Sequence, residues 1–139
     1  MTNTNNNRVI LFHKHPSSAR VRFLFFTERN SVLAFDSLPE LASLMDSSSN
    51  IGENQIESSV LSDYFGDIAE RIIFDDEFYT EIDVPNETIG VLLARFDDID
   101  PPFELAQKVN AEFREITGAR SVAPVELQLL QKAYTQIMG

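Results

Sequence analysis

The chain contains no cysteine among its 139 residues. This absence excludes disulfides, cysteine nucleophiles, zinc–thiolate sites and iron–sulfur clusters, since all of them need the thiol group. Small secreted domains commonly carry disulfides, so a chain without cysteine favours a reducing compartment. We therefore expect a cytoplasmic protein.

Glycine is also scarce, and the five glycines are scattered along the chain: Gly52, Gly66, Gly90, Gly118 and Gly139. A phosphate-binding loop needs glycines clustered ahead of a helix, and the nucleophile elbow of many hydrolases needs one on each side of a serine. Neither pattern is present. With no catalytic motif to support an enzyme, we favour a non-catalytic protein and expect no cofactor.

Long hydrophobic runs are missing as well. Apolar runs such as residues 91–94 are far too short to cross a bilayer. Residues 1–7 are rich in Asn and Thr and lack the apolar core of a secretory signal, so we expect a disordered tail there. The remaining residues, 8–139, fit one domain, because the length suits a single domain and 43% of the chain is hydrophobic.

Positive charge is nearly absent from the middle of the chain. Residues 46–104 contain 16 acidic and two basic residues, whereas the flanking regions are almost neutral. Such a surface repels nucleic acids and anionic membranes and attracts basic proteins. Our leading hypothesis is therefore a non-catalytic accessory or protein-interaction domain with an acidic binding surface. A contact through the basic N-terminal hairpin is the other route to a protein partner.

Alternating apolar residues predict five β-strands, at residues 9–12, 19–27, 32–35, 78–84 and 88–96. The first two strands are joined by a Pro/Ser turn at residues 15–18, which is typical of a hairpin. The continuously apolar segment from Thr88 to Phe96 is typical of a buried strand. Residues 46–58 are rich in Ser, Asn and acids, and predict a surface loop.

Apolar residues three and four apart predict four helices, at residues 37–46, 59–72, 102–117 and 124–138. Gly66 interrupts the second segment, which could form one kinked helix or two short ones. Gly118 fits the position after the third helix, and the last two helices would form an αα-hairpin. Strands and helices do not alternate strictly, which indicates an α+β fold. We expect a mostly antiparallel sheet of about five strands with about four helices packed on one face.

Two histidines, His13 and His15, end the first predicted strand. At positions i and i+2 their side chains lie on the same side of a strand, about 6–7 Å apart. Carboxylates following the apolar runs could complete a metal site with them: Asp97, Asp98 and Asp100, or Asp75, Asp76 and Glu77. This constellation carries the alternative hypothesis of a metal-dependent hydrolase or metal-binding protein. The simpler interpretation is a solvated strand end, with acids capping the helix that follows.

A third functional hypothesis is a small-ligand sensor domain. The chain has 11 phenylalanines, which could enclose an apolar cavity lined by Phe23, Phe25 and Phe96. A filled core uses the same side chains, and we favour that interpretation.

The final predicted helix carries apolar residues on two sides. Leu127, Leu130, Tyr134 and Ile137 form one side, and Val125, Leu129 and Met138 form the other. One helix packed on one sheet can bury only one of these sides, and two-fold dimers commonly cover the other. We therefore predict a homodimer through this helix or its neighbour at 102–117.

Overall fold

A computed structural model of the protein describes residues 8–34, 42–44, 62–63, 65–85 and 87–138. The strands are β1 (Arg8–Lys14), β2 (Val21–Phe26), β3 (Leu33–Ala34), β4 (Ser43–Leu44), β5 (Ile72–Val84), β6 (Glu87–Phe96) and β7 (Ala111–Arg114). The helices are α1 (Phe103–Lys108), α2 (Pro124–Met138) and two 3₁₀ helices, Gly66–Arg71 and Ile116–Ala119. Ser62, Asp63 and Phe65 are helical as well. Within these residues, none of the helices combines the length and the apolar character needed to cross a membrane.

The seven strands form one mixed sheet in the order β4-β5-β6-β1-β2-β7, with β3 pairing beside the start of β1. Strand β1 lies parallel to β6, in a register that runs from Arg8 opposite Val91 to Phe12 opposite Arg95. The other pairs are antiparallel. The predicted five-stranded antiparallel sheet is therefore wrong in both the number and the direction of its strands.

The parallel pair lies at the centre because both of its strands are apolar on both faces. Every residue of β1 up to His13 is buried, and so are residues 89–94 of β6. Continuous burial of this kind is typical of strands that are covered on two sides, whereas an alternating pattern marks strands with one wet face. The two most apolar segments of the chain thus become neighbours although about 80 residues separate them.

Helices cover both faces of the sheet. Helix α2 packs against one face through Leu129, Leu130 and Ala133, in a core that includes Ile10, Phe23 and Leu93. Helix α1 packs against the opposite face through Leu105 and Ala106, in a core that includes Leu11, Leu92 and Phe96. The prediction that the helices pack on one face is wrong, because successive residues of the central strands carry apolar side chains to both sides.

The predicted helix at 102–117 is also wrong beyond Lys108. Helix α1 ends there, and Asn110 has a positive φ of 59°, a backbone conformation that asparagine tolerates and that terminates helices. Residues 111–114 then form β7, which pairs with β2 at the edge of the sheet. Pairing with this edge supplies hydrogen bonds to β2 that a helix could not supply. No αα-hairpin forms between α1 and α2.

One further predicted helix is not found in the described residues, and another is interrupted. Ser43 and Leu44, within the predicted helix 37–46, form β4 and pair with β5. In the predicted helix 59–72, Ser62, Asp63 and Phe65 are helical. Gly66 has a φ of +73° and begins a 3₁₀ helix that ends at Arg71, and Ile72 already belongs to β5. The predicted tail at 1–7 and loop at 46–58 lie outside the described residues. The helix predicted at 124–138 is confirmed.

Candidate functional site

Several polar side chains meet at one edge of the sheet. Strands β1 and β6 are parallel, so their carboxyl ends lie at the same edge, and β5 begins there because it is antiparallel to β6. This geometry places His13 and His15 near the residues that follow β6. Arg71, which immediately precedes β5, lies beside the same residues. The carboxyl ends of parallel strands are a common location for binding sites in sheet proteins.

The side chain of His13 is fully buried and fixes the loop that follows β6. Its Nε2 lies 2.8 Å from the backbone oxygen of Asp98. A carbonyl oxygen can only accept, so Nε2 carries the hydrogen and donates it. The other ring nitrogen, Nδ1, is buried and has no hydrogen-bond partner among the described residues. His13 therefore joins the end of β1 to the loop through a single directed bond.

Arg71 holds the same loop from the other side. Its guanidinium donates to Asp98 Oδ1 at 3.0 Å, and its backbone oxygen accepts from the Asp97 N–H at 2.8 Å. The Asp98 side chain is largely buried, whereas that of Arg71 is mostly exposed. The loop is thus anchored at its first two residues to the end of the 3₁₀ helix Gly66–Arg71.

His15 reaches the same loop with a looser contact. Its Nε2 lies 3.6 Å from Asp100 Oδ1, and its Nδ1 accepts from the backbone N–H groups of Ser17 and Ser18. The rings of His13 and His15 are 6.3 Å apart, the separation that strand geometry predicts. Of the two histidines and the three acids that follow β6, the structure therefore places four at this edge of the sheet: His13, His15, Asp98 and Asp100.

These four residues do not form a metal centre in the structure. His13 Nε2 is bonded to a carbonyl oxygen, the Asp98 carboxylate to Arg71, and the fifth candidate, Asp97, to Arg95 at 3.1 Å. In the part of the chain that the structure describes, no group of three or more His, Asp and Glu side chains is placed to hold a metal ion. The acids do not cap α1 either, since Pro102 occupies the cap position without a side-chain bond.

The second acidic cluster lies elsewhere and is also bonded within the protein. The carboxylate of Asp75 accepts from the Glu77 N–H at 2.8 Å and from Gln136 Nε2 at 3.3 Å. These bonds connect a bulge in β5 to the end of α2. They give Asp75 a structural role in joining strand and helix.

Large apolar side chains are exposed in the loop that carries the acids and at the first residue of α1. We call residues 97–104 (Asp-Asp-Ile-Asp-Pro-Pro-Phe-Glu) the acidic–apolar segment. Ile99 is 72% exposed and Phe103 is 54% exposed, and they are the two most exposed large apolar side chains in the described part of the chain. The segment thus combines four carboxylates with two projecting apolar groups, a feature that the sequence analysis did not identify.

An open cleft of about 930 Å³ lies between this segment, α1 and the start of the 3₁₀ helix. Its apolar lining is Phe65, Pro101, Pro102, Phe103, Leu105 and Val109, and its charged lining is Arg71, Asp98, Asp100, Glu104 and Lys108. The cleft therefore has apolar walls beside charged groups, as binding sites for side chains of other molecules commonly do.

Four phenylalanines form a row that passes through the core and lines the cleft at both of its ends. Phe65 contacts Phe96, Phe96 contacts Phe113, and Phe113 contacts Phe103, with ring centroids 6.5, 5.8 and 5.8 Å apart and nearly perpendicular planes. Edge-to-face contacts of this kind fix the orientation of each ring. Phe103 is therefore held in place although more than half of its surface is exposed.

The apolar cavity predicted for a ligand sensor is not formed by the phenylalanines proposed for it. Phe23 and Phe25 belong to the core under α2, whereas Phe96 belongs to the core on the opposite face. All three side chains are buried in contact with neighbouring core residues. They fill the two cores on either side of the sheet and cannot line one pocket.

Helix α2 contacts the core with residues from both predicted sides: Leu127, Leu130 and Ile137 from one, and Val125 and Leu129 from the other. Its buried residues are Glu126, Leu129, Leu130 and Ala133, whereas Tyr134 and Met138 are exposed. Tyr134, which was predicted to share an apolar side of the helix with Leu130, is exposed. Homodimerisation through α2 stays a prediction.

The unexpected member of the buried face is Glu126. Its carboxylate lies 3.0 Å from the Ser31 hydroxyl and accepts from the Val32 N–H at 3.0 Å, so it joins the first turn of α2 to the start of β3. Burial raises the pKa of Glu126 above its ordinary value, while the bonds from Val32 and Ser31 and the charge of Arg29 act in the opposite direction. The spacing of Glu126 from Leu129, Leu130 and Ala133 could have identified it as buried.

The raised pKa of Glu126 predicts a specific pH dependence of stability. The folded protein binds this proton more tightly than the unfolded chain, so the contribution is complete below the unfolded pKa and is lost as the pH rises through the folded pKa. Glutamine keeps an acceptor for Val32 but cannot ionise. We therefore expect Glu126→Gln to gain stability relative to the wild type as the pH rises.

Urea unfolding of both proteins between about pH 4.5 and 8 tests this prediction, because the series begins at the ordinary pKa of a glutamate; it stays above the isoelectric point of about 4.4. Glu77→Gln, at an exposed position, corrects for the loss of one charge. The raised pKa would be contradicted if the difference in unfolding free energy between Glu126→Gln and the wild type stayed constant, or if it changed in favour of the wild type as the pH rises.

No protein-family model matches the chain, and no curated protein is significantly similar to it.

Proposed function

We propose that the protein is a non-catalytic interaction domain that binds another protein through the acidic–apolar segment and the adjoining cleft. The observation that carries this proposal is the exposure of Ile99 and Phe103 among Asp97, Asp98, Asp100 and Glu104. Single exposed apolar residues are normal on protein surfaces, but two large ones four residues apart, among carboxylates and next to a cleft, favour an interaction site.

The attachment of the segment to the fold supports the same function. His13, Arg71 and Phe113 each contact a different part of it, through Asp98 and Phe103. Two consecutive prolines, Pro101 and Pro102, restrict the backbone between the two exposed apolar residues. A surface fixed in this way loses little conformational entropy when a partner binds, which favours affinity.

The charge of the segment gives the expected partner a sign. Residues 97–104 contain four carboxylates and no basic residue. A basic partner is attracted over the range of the Debye length, about 8–10 Å at physiological salt, and the apolar groups stabilise the complex after contact. We place this activity in the cytoplasm, in agreement with the lack of cysteine.

Affinity capture from a cell extract with quantitative mass spectrometry tests the proposal. We expect the wild-type chain to enrich at least one protein whose recovery falls about tenfold or more in the double variant Ile99→Ser/Phe103→Ser, as expected when central apolar contacts are removed. The matched control is Tyr134→Ser/Met138→Ser, which changes two exposed apolar residues on α2. Equal recovery by all three proteins would refute the proposed site.

A further inference from the structure

We propose that the partner contributes a cationic segment with one bulky apolar side chain, which enters the cleft while flanking Lys or Arg residues pair with its carboxylate rim. This inference rests on the proposed function and specifies the chemistry of the partner. It follows from the distribution of apolar and charged groups around the cleft, which differs between the walls and the rim.

The walls fit an apolar side chain. Phe65 and Phe103 lie at the two ends of the phenylalanine row, and both line the cleft together with Leu105. The exposed part of the Phe103 ring offers apolar area and a π face within the same space. A volume of about 930 Å³ accommodates one aromatic or long aliphatic side chain with the adjoining backbone.

The rim fits positive charge. Arg71, one of the two cations in the lining, is already paired with Asp98 at 3.0 Å. Asp100 and Glu104 line the cleft and are exposed. Outside the pair of Arg71 and Asp98, the charged lining is therefore two exposed carboxylates and one exposed cation, Lys108.

A cationic segment can satisfy both sets of groups at once. An arginine beside the apolar residue can pair with Asp100 or Glu104 and can also lie over the exposed face of Phe103, where a cation–π contact adds to the attraction. An acidic segment would meet repulsion from the rim, and a purely apolar one would leave the carboxylates beside a dry surface without compensation. Specificity thus comes from the combination of one apolar anchor and its charged neighbours.

Nuclear magnetic resonance titration of the ¹⁵N-labelled full chain tests this inference with defined probes. The first probe is a blocked nine-residue peptide with Phe at its centre and two Lys or Arg on each side. A second peptide replaces the Phe with Ala, and a third replaces the basic residues with Glu. We expect the first peptide to shift the amide signals of Gly66, Phe103, Lys108 and their neighbours, and the other two to bind at least about tenfold more weakly.

The variant Asp100→Asn/Glu104→Gln supplies the charge control on the protein. We expect this variant to bind the first peptide several-fold more weakly and to show a smaller dependence of binding on salt. The inference is overturned if the first peptide shifts the amide signals near all acidic residues of β5 and β6 equally, or if the Ala peptide binds as tightly as the first peptide. If capture of a natural partner still depends on Ile99 and Phe103 in that case, the proposed function stands and only the partner chemistry is wrong.

Discussion

Replacing Phe96 with alanine is expected to lower the free energy of unfolding by about 3–5 kcal/mol. Phe96 is only 2% exposed, ends β6, and lies between Phe65 and Phe113 in the phenylalanine row. Its removal leaves a cavity and breaks two edge-to-face contacts at once, so the loss exceeds the transfer free energy of the ring alone. Urea unfolding followed by circular dichroism measures the change.

Two variants separate burial from the aromatic contacts. Phe96→Leu keeps most of the buried volume and loses the ring contacts, and we expect about 1–2 kcal/mol of destabilisation. Phe103→Ala, at the exposed end of the same row, should cost less than Phe96→Ala because its ring is already half in water. An equal effect of Phe96→Ala and Phe103→Ala would show that the row does not have its proposed role in the core.

The segments that form strands could be identified from the sequence, but their arrangement could not. Strands β1, β2, β3, β5 and β6 each overlap a segment predicted as a strand from its apolar residues, although β5 begins at Ile72, before the segment predicted at 78–84. The parallel pairing of β1 with β6 joins segments about 80 residues apart, and nothing in their local pattern names the neighbour. The two-residue strand β4 is too short to give any pattern.

The misassigned segment 109–116 shows why local periodicity can fail. Val109, Phe113 and Ile116 are spaced as in a helix, yet Ala111 and Phe113 are also spaced as in a strand. The outcome depends on β2, whose free edge pairs with residues 111–114 and forms hydrogen bonds across the sheet. Tertiary pairing overrides a helical preference of a few tenths of a kcal/mol per residue, about the size that propensities reach.

The candidate site was predictable in part. The i and i+2 spacing of His13 and His15 predicted that their rings lie close together, and the rings are 6.3 Å apart. The predicted meeting of both rings with carboxylates is not found in the described residues, because His13 bonds to the backbone oxygen of Asp98 and Asp100 alone approaches His15 with its carboxylate, at 3.6 Å. Arg71 and the phenylalanine row could not be predicted, because their positions depend on the antiparallel start of β5 beside β6. The exposure of Ile99 and Phe103 was equally unpredictable, since isoleucine and phenylalanine are among the residues most often buried.

The second large effect is expected at His13, whose bond to the Asp98 backbone oxygen joins β1 to the acidic–apolar segment. Replacing His13 with alanine removes a fully buried side chain together with that bond, and we expect a loss of about 2–4 kcal/mol. Replacing it with phenylalanine keeps the ring volume but removes the donor, so the expected loss is smaller, about 1–3 kcal/mol. Urea unfolding gives both values.

Hydrogen exchange separates this role of His13 from general packing. Without the donor from His13, the loop keeps its bonds to Arg71 but loses its attachment to β1. Amides within residues 97–104 should therefore exchange faster in His13→Phe than in the wild type. The amides of α2 should change only as far as global stability changes. His15→Ala is the matched control, because its 3.6 Å contact with Asp100 lies at a more exposed position and should affect stability little. If His13→Phe unfolds at the same urea concentration as the wild type and leaves exchange in the segment unchanged, the bond to Asp98 does not position the proposed binding surface.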